Sequence, residues 1–303
     1  MKIYVGITDK NWYEELASQN PEEVNFWKPG SSNFKALHTN DMFLFKLHQP
    51  YNYIVGGGFF VRFSLLPPFL AWQSFGKKNG TQTYEDLLNR INKYRDKKTT
   101  NNGENKIGCI ILTEPFFFDQ KEWIPAPSDW RMSIVQGKTY DTSTETGEHL
   151  YRQVIDRIKD NDEIDIGNKN ERYKESLTKH RLGQGAFRVV VTEAYQRRCA
   201  VTGEKTLPVL EAAHIKPYSE NGPHDIKNGL LLRSDFHTLF DNGYITIDPD
   251  HTIEVSKRLN DDYGNGRDYY RFHGSKLQIT PSSELEMPSR EYIMWHNENC
   301  YRG

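Results

Sequence analysis

Four residues between positions 209 and 247 have side chains and spacing suited to chemistry: His214, Asn228, His237 and Asp241. A neutral imidazole titrates near working pH, so His214 could act as a base toward water. His237 and Asp241, four positions apart, share one face if the stretch is helical, and can converge on one cation. Asn228 has side-chain donors and an acceptor, enough to tie down the polar loop that separates it from His214. As Asn228 precedes Gly229, it is also compatible with a simple turn pair. A base, a cation and a rigid frame holding both are what metal-assisted hydrolysis of a phosphodiester requires. His224 and His251 read as loop histidines without a role.

The elements that must position these residues follow from the pattern around them. An apolar run ends at His214, a loop rich in Pro, Gly and Ser follows, and a second apolar run starts after Asn228. A short helix is expected over 235–241, with Ser234 or Asp235 placed to cap it. "GYITIDPDHTIEVS" then reads as a hairpin turning at DPDH. The strings "AAHIKPYS", "NGLLL" and "HTLFD", with "GQGAFRVVVTEAYQRRCAVTG" upstream, resemble the HNH endonucleases of the ββα-metal superfamily across residues 181–250. That resemblance implies a general base at His214, a metal ligand at His237 and a loop-ordering role for Asn228. It also implies a divalent cation, Mg²⁺ or Mn²⁺, since an imidazole-plus-oxygen site suits these ions. Many members carry Asp or His just before the base, where this chain has Ala213. Asp241 is therefore the candidate second ligand, with Glu211 behind it. Cys199 is followed by Thr202 where a CxxC pair would need a second Cys, so no structural zinc is expected.

The sequence has 303 residues and a formal charge of −2, which points to two domains of ordinary size and gives no bulk attraction to polyanions. Any nucleic-acid surface must come from local clustering. Residues 169–200 hold eight Lys or Arg against three acids, which makes Lys179, Arg181, Arg188, Arg197 and Arg198 candidates for DNA-backbone contacts. Cys109, Cys199 and Cys300 form no ligand pattern. With neither a signal-peptide start nor a run of membrane-spanning length, a cytoplasmic protein is expected.

The first 140 residues read as interleaved strands and helices. Strands are expected at 2–8, 42–47, 53–63 and 107–113, the third broken by three glycines that signal a bulge. Helices are expected after Asp9 and over 84–94. Aromatic residues sit in polar surroundings in "NFWKPGSSNFKAL" and "LAWQSFGKKNG", where a ring is well placed to stack on a flat base. Together with "NDMFLFKL" and "NYIVGGGFF", these strings are similar to the PUA-like superfamily, in particular EVE and YTH-type readers of modified bases. The similarity implies Trp27 and Trp72 as cage walls, Phe75 as a third, and Ser32 and Asn33 as polar edge readers.

The expected fold class is α+β. A PUA-like curved sheet or barrel spans 1–140, a linker with a helix 141–180, and a ββα-metal HNH domain 181–303. The expected function is a modification-dependent endonuclease that flips out a modified cytosine (5-methyl or 5-hydroxymethyl) and hydrolyses double-stranded DNA nearby. Two cuts need two sites, so a homodimer is expected. Two other readings stand beside it: an HNH nuclease for unmodified DNA whose front domain binds RNA or protein, and a reader that has lost catalysis.

Overall fold

Strand β3 (Met42–Leu47) shows how the first half of the chain is built: every one of its residues is buried, which an ordinary half-exposed strand would not allow. Successive side chains point to opposite faces, so Phe43, Phe45 and Leu47 enter one core while Met42 and Leu44 enter another. The computed structural model describes residues 1–95, 105–161 and 182–303. Within these, the chain divides into two compact units, Met1–Ala186 and Phe187–Gly303. No helix among the described residues is long and apolar enough to cross a membrane.

The first unit is a seven-stranded sheet in the order β2-β5-β4-β3-β1-β7, with the short β6 (Ile124–Pro125) on β4. Strand β1 (Lys2–Thr8) runs parallel to β3 and antiparallel to β7 (Gly137–Asp141). Strand β4 (Tyr53–Leu66) pairs antiparallel with both β3 and β5 (Ile107–Phe117), and β5 pairs with β2 (Glu23–Lys28). The described sheet does not close into a barrel: β2 and β7 are its two ends. The glycines of "VGGGFF" belong to a bulged segment, with register shifts between Gly57 and Phe59 and between Phe60 and Arg62. A Cβ on Gly57 would lie 2.6 Å from the Phe43 carbonyl oxygen, so β3 and β4 approach here only because the position is glycine.

Helix α1 (Lys10–Gln19) begins where the Asp9 carboxylate accepts the Trp12 N–H, and it buries Trp12, Tyr13 and Leu16. Helix α2 (Pro68–Phe75) follows β4, and α3 (Tyr84–Tyr94) is capped by Thr83 and buries Leu87 and Ile91. Helix α4 (Glu145–Asn161) is the helix expected within 141–180, and its Leu150, Val154 and Ile155 pack into the core with Ile3, Val5, Met42 and Leu44. The polar "DTSTET" stretch that looks like flexible lead-in instead builds the turn into this helix: Asp141 accepts from Ser143, and Thr144 donates to the Asp141 carbonyl.

The second unit holds helix α5 from Phe187 on (Gln184–Ala194), the hairpin of β8 (Leu210–His214) and β9 (Gly229–Arg233), and α6 (Ser234–Asp241). A second hairpin, β10 (Ile245–Ile247) with β11 (Ile253–Val255), turns at the DPDH segment. Short helices α7 (Arg258–Tyr263) and α8 (Arg267–Tyr270) and the final α9 (Arg290–Asn299) complete it. Tyr269 and Phe272 pack edge-on against Phe236 of α6, and His296 of α9 stacks on Phe240 at 3.8 Å. The aromatic tail is thus the outer layer of the core behind α6.

Candidate active site

The site is a strand–loop–strand–helix unit. Strands β8 and β9 pair antiparallel from Leu210↔Arg233 to His214↔Gly229, so His214 stands at the mouth of the hairpin. Gly229 opposite it matters for space: a Cβ there would lie 3.1 Å from the Phe187 ring. With that room, Phe187 lies flat against the His214 imidazole, centroids 4.0 Å apart and planes at 11°.

The loop between the strands is closed by one fully buried side chain. Asn228 Nδ2 donates to the carbonyls of Lys216 (2.9 Å) and Pro223 (3.0 Å), and its Oδ1 accepts the Lys216 N–H (2.8 Å). These three bonds are part-buried, and the buried amide fastens the two ends of the loop to one another. The loop in turn delivers His224, whose Nδ1 lies 2.9 Å from His214 Nε2. Tyr218 stacks on His224 at 4.6 Å and 7°. Burial, with the charges of His224 and His237 adding to it, pushes the His214 imidazole down to about 4. It is neutral at physiological pH, the form a base requires.

Helix α6 carries the second half. His237 Nδ1 lies 2.6 Å from Glu211 Oε2 on β8, and its Nε2 lies 3.2 Å from Asp241 Oδ2 one turn along. A neutral imidazole has a single N–H, so it can donate to only one of these carboxylates; the other contact is complete only with a second cation, a proton or a metal. Burial raises the Asp241 pKa; the His237 charge opposes this and the Glu211 charge adds to it. Among the described residues, no group of three or more His, Cys, Asp or Glu gathers to hold a metal. Glu211 and Asp241 address opposite nitrogens of the His237 ring. The residues fit a cation held at Nε2 and the Asp241 carboxylate, with Glu211 orienting the ring from behind. Ala213 is fully buried in the core, so the position that precedes His214 serves packing.

The expected cap of α6 is absent. Arg233 occupies the N-cap without a side-chain bond to a helix backbone N–H, and its guanidinium instead makes a two-pronged ion pair with Asp235, both contacts at 2.6 Å. Cys199 Sγ accepts the backbone N–H of Thr202 and of Arg233, at 3.4 and 3.3 Å, and so links the turn before β8 to the end of β9.

The candidate DNA-backbone residues separate. Arg188 follows Phe187 on α5 within reach of the Glu211 charge, and burial lowers its pKa. Arg197 pairs with Glu193, and Arg198 donates to the Gly203 carbonyl at 3.3 Å. Lys179 and Arg181 lie outside the described residues. In the first unit, Trp27 is half-buried and its indole N–H donates to the Asn79 carbonyl at 3.0 Å. Trp72 is half-buried near Tyr84, centroids 6.3 Å apart, and no ring contact among the described residues joins it to Trp27. Ser32 is exposed and accepts from Lys28 Nζ, while the Asn33 side chain accepts the Phe34 N–H. Phe75 corrects the sequence expectation: it is only 2 % exposed, so it offers no face to a base. It lies at the C-terminal end of α2, three positions along the same side as Trp72, and is among the residues that this helix buries.

Sequence reasoning missed His224, Phe187 and Tyr218. His224 sits between Pro and Asp in a non-periodic loop, and only the Asn228 closure brings it to His214. Phe187 could have been found as an aromatic on an apolar helix face leading into the motif.

Residues 199–248 match the HNH endonuclease family, a span that contains His214, Asn228, His237 and Asp241. An HNH nuclease domain thus occupies this part of the chain. No curated protein matches it. Among solved structures, ASCH from Zymomonas mobilis is 10% identical, covering 50% of this chain and 94% of its own, with a TM-score of 0.33. The modification-dependent TagI restriction endonuclease is 12% identical, covering 93% of this chain and 76% of its own, with a TM-score of 0.29.

Proposed function

We propose that the chain is a DNA endonuclease whose first unit selects modified cytosine and whose second unit hydrolyses the phosphodiester backbone. The observation that carries the reading is a neutral His214 and the His237–Asp241 pair presented by one strand–loop–strand–helix unit inside an HNH match. His214 takes a proton from the attacking water. Asn228 keeps the loop closed, and Glu211 holds the His237 ring through Nδ1, leaving Nε2 directed at Asp241. A divalent cation, Mg²⁺ or Mn²⁺, held by His237 and Asp241 would supply charge stabilisation at the phosphate and the departing oxygen. Arg188, close to Glu211, is the member of the basic set that, among the described residues, is placed to meet a phosphate near the site.

For selection, the reading rests on the aromatic strings of the first unit and their similarity to PUA-like readers. Trp27 and Trp72, both half-buried, remain the stacking candidates, with Ser32 and Asn33 as edge readers. Two strands need two cuts, so the working form is a homodimer or two recruited copies on double-stranded DNA.

The test is digestion of matched DNAs carrying cytosine, 5-methylcytosine or 5-hydroxymethylcytosine, with Mg²⁺ and Mn²⁺ varied and His214→Ala as control. Faster cutting of one modified DNA, lost in the variant, is expected. Equal cutting of all three removes the selectivity, and wild type that is inert with every metal favours a non-catalytic reader.

A further inference from the structure

His224 lies at hydrogen-bond distance from the proposed base, and nothing in the motif assigns it a task. Two nitrogens 2.9 Å apart, His214 Nε2 and His224 Nδ1, cannot both be acceptors or both be donors. One proton lies between them. Each ring is held flat, His214 by Phe187 at 4.0 Å and His224 by Tyr218 at 4.6 Å, so the line joining the nitrogens is fixed. The backbone is fixed as well, because the Pro223 carbonyl, immediately before His224, accepts from Asn228. The loop closure, the two aromatic plates and the paired imidazoles form one assembly.

The other nitrogen of His214, Nδ1, has no hydrogen-bond partner among the described residues. A base needs its lone pair on the nitrogen that meets water. If Nε2 carried the lone pair, it would be spent on His224 and Nδ1 would carry a hydrogen, leaving nothing to accept from the nucleophile. The productive arrangement has the proton on His214 Nε2, donated to His224 Nδ1.

We propose that His224 is a positioning residue for the base. By accepting the Nε2–H of His214 it selects the tautomer whose Nδ1 is free to take a proton. When water loses its proton to Nδ1, the Nε2–H bond to His224 becomes charge-assisted and stabilises the imidazolium. The O–H bond of water breaks, an N–H bond forms at His214 Nδ1, and the positive charge is shared along the pair. The titratable groups that reach His214 are His224 from the loop and His237 from α6, while α5 presents the uncharged Phe187 ring. This inference rests on the reading of His214 as the base.

The test has three arms. In the first, ¹⁵N NMR on the metal-free wild-type protein at neutral pH assigns the His214 tautomer; protonation on Nε2 is expected, and protonation on Nδ1 overturns the proposal. In the second, single-turnover cleavage is followed against pH for wild type, His224→Phe and His224→Gln. The Phe variant keeps a flat ring without an acceptor and should lose about 100-fold in rate with DNA affinity unchanged. The Gln variant restores a carbonyl acceptor and should recover to within about tenfold, with the acid limb displaced from wild type. Full activity and an unmoved pH profile in His224→Phe would sink the proposal. In the third, His214→Ala separates the failures: an active His214→Ala defeats the assignment of the base itself, whereas an inactive one beside an active His224→Phe defeats only the role of His224.

Discussion

An imidazole with a carboxylate at each ring nitrogen, as His237 has, needs a second ring proton or a bound metal to satisfy both, and a metal would make its two neighbours unequal. Asp241 would share the cation with Nε2, and Glu211 would set the ring from Nδ1. Glu211→Gln should therefore weaken Mn²⁺ affinity by about 10–100-fold. Titration calorimetry checks this, and unchanged affinity would show that the orienting contact is idle. The second prediction concerns protons. His296 is buried, donates through Nε2 to the Phe240 carbonyl and faces Thr246 through Nδ1, and burial pushes it down to about 4 from the ordinary 6.5. A folded value below the unfolded one means that the unfolded chain binds more protons in that window. The stability is complete above about pH 6.5 and is lost as pH falls through about 4. On the order of 3 kcal/mol is at stake. His296→Gln keeps a donor for Phe240 and does not titrate, so it should flatten the acid limb of thermal melts; an unchanged slope would refute the assignment. At this scale His237 and Asp241 were legible, because helical spacing alone brings positions four apart to one face. His224 was not, since its position depends on a loop that no periodicity describes.

Elements carry their own consequences. Asn228→Ala would remove the partner of three part-buried backbone groups, Lys216 N–H, Lys216 C=O and Pro223 C=O, at a cost of about 1–3 kcal/mol. Faster hydrogen exchange over residues 215–228 with little change elsewhere is the expected signature; uniform protection would mean that the loop is held by other contacts. Gly57→Ala should cost 1–3 kcal/mol or more, because the methyl meets backbone at 2.6 Å and cannot be relieved by a rotamer change. Chemical denaturation measures it, and a neutral result would show that the β3–β4 spacing yields easily. Strand β3 and the glycine bulge were visible as an apolar run and a triple glycine. Helix α4 was expected from its sequence, but the core it joins was not, because a short apolar stripe does not say which surface it packs against. Asp235 likewise looked like a cap until Arg233 was seen to hold it.

For the whole molecule, selection and cutting are assigned to different units, so they should respond to different substitutions. Trp27→Ala or Trp72→Ala should reduce the preference for modified DNA while leaving slow cleavage of plain DNA intact; equal loss on both substrates would place these indoles in the fold rather than in recognition. The α+β class and the HNH segment were readable because short strings fix a local strand–loop–strand–helix geometry. The open edge of the first sheet was not readable, since strand order is set by long-range pairing that composition does not encode.

Helix α9 grips the Phe240 carbonyl, one residue before Asp241, through a single imidazole. The last stretch of the chain is therefore a latch on the turn that presents the second carboxylate. Immobilising the protein on a surface through α9 should pull on that latch and blunt its response to added Mn²⁺, whereas attachment through the first unit should leave the response as it is in solution.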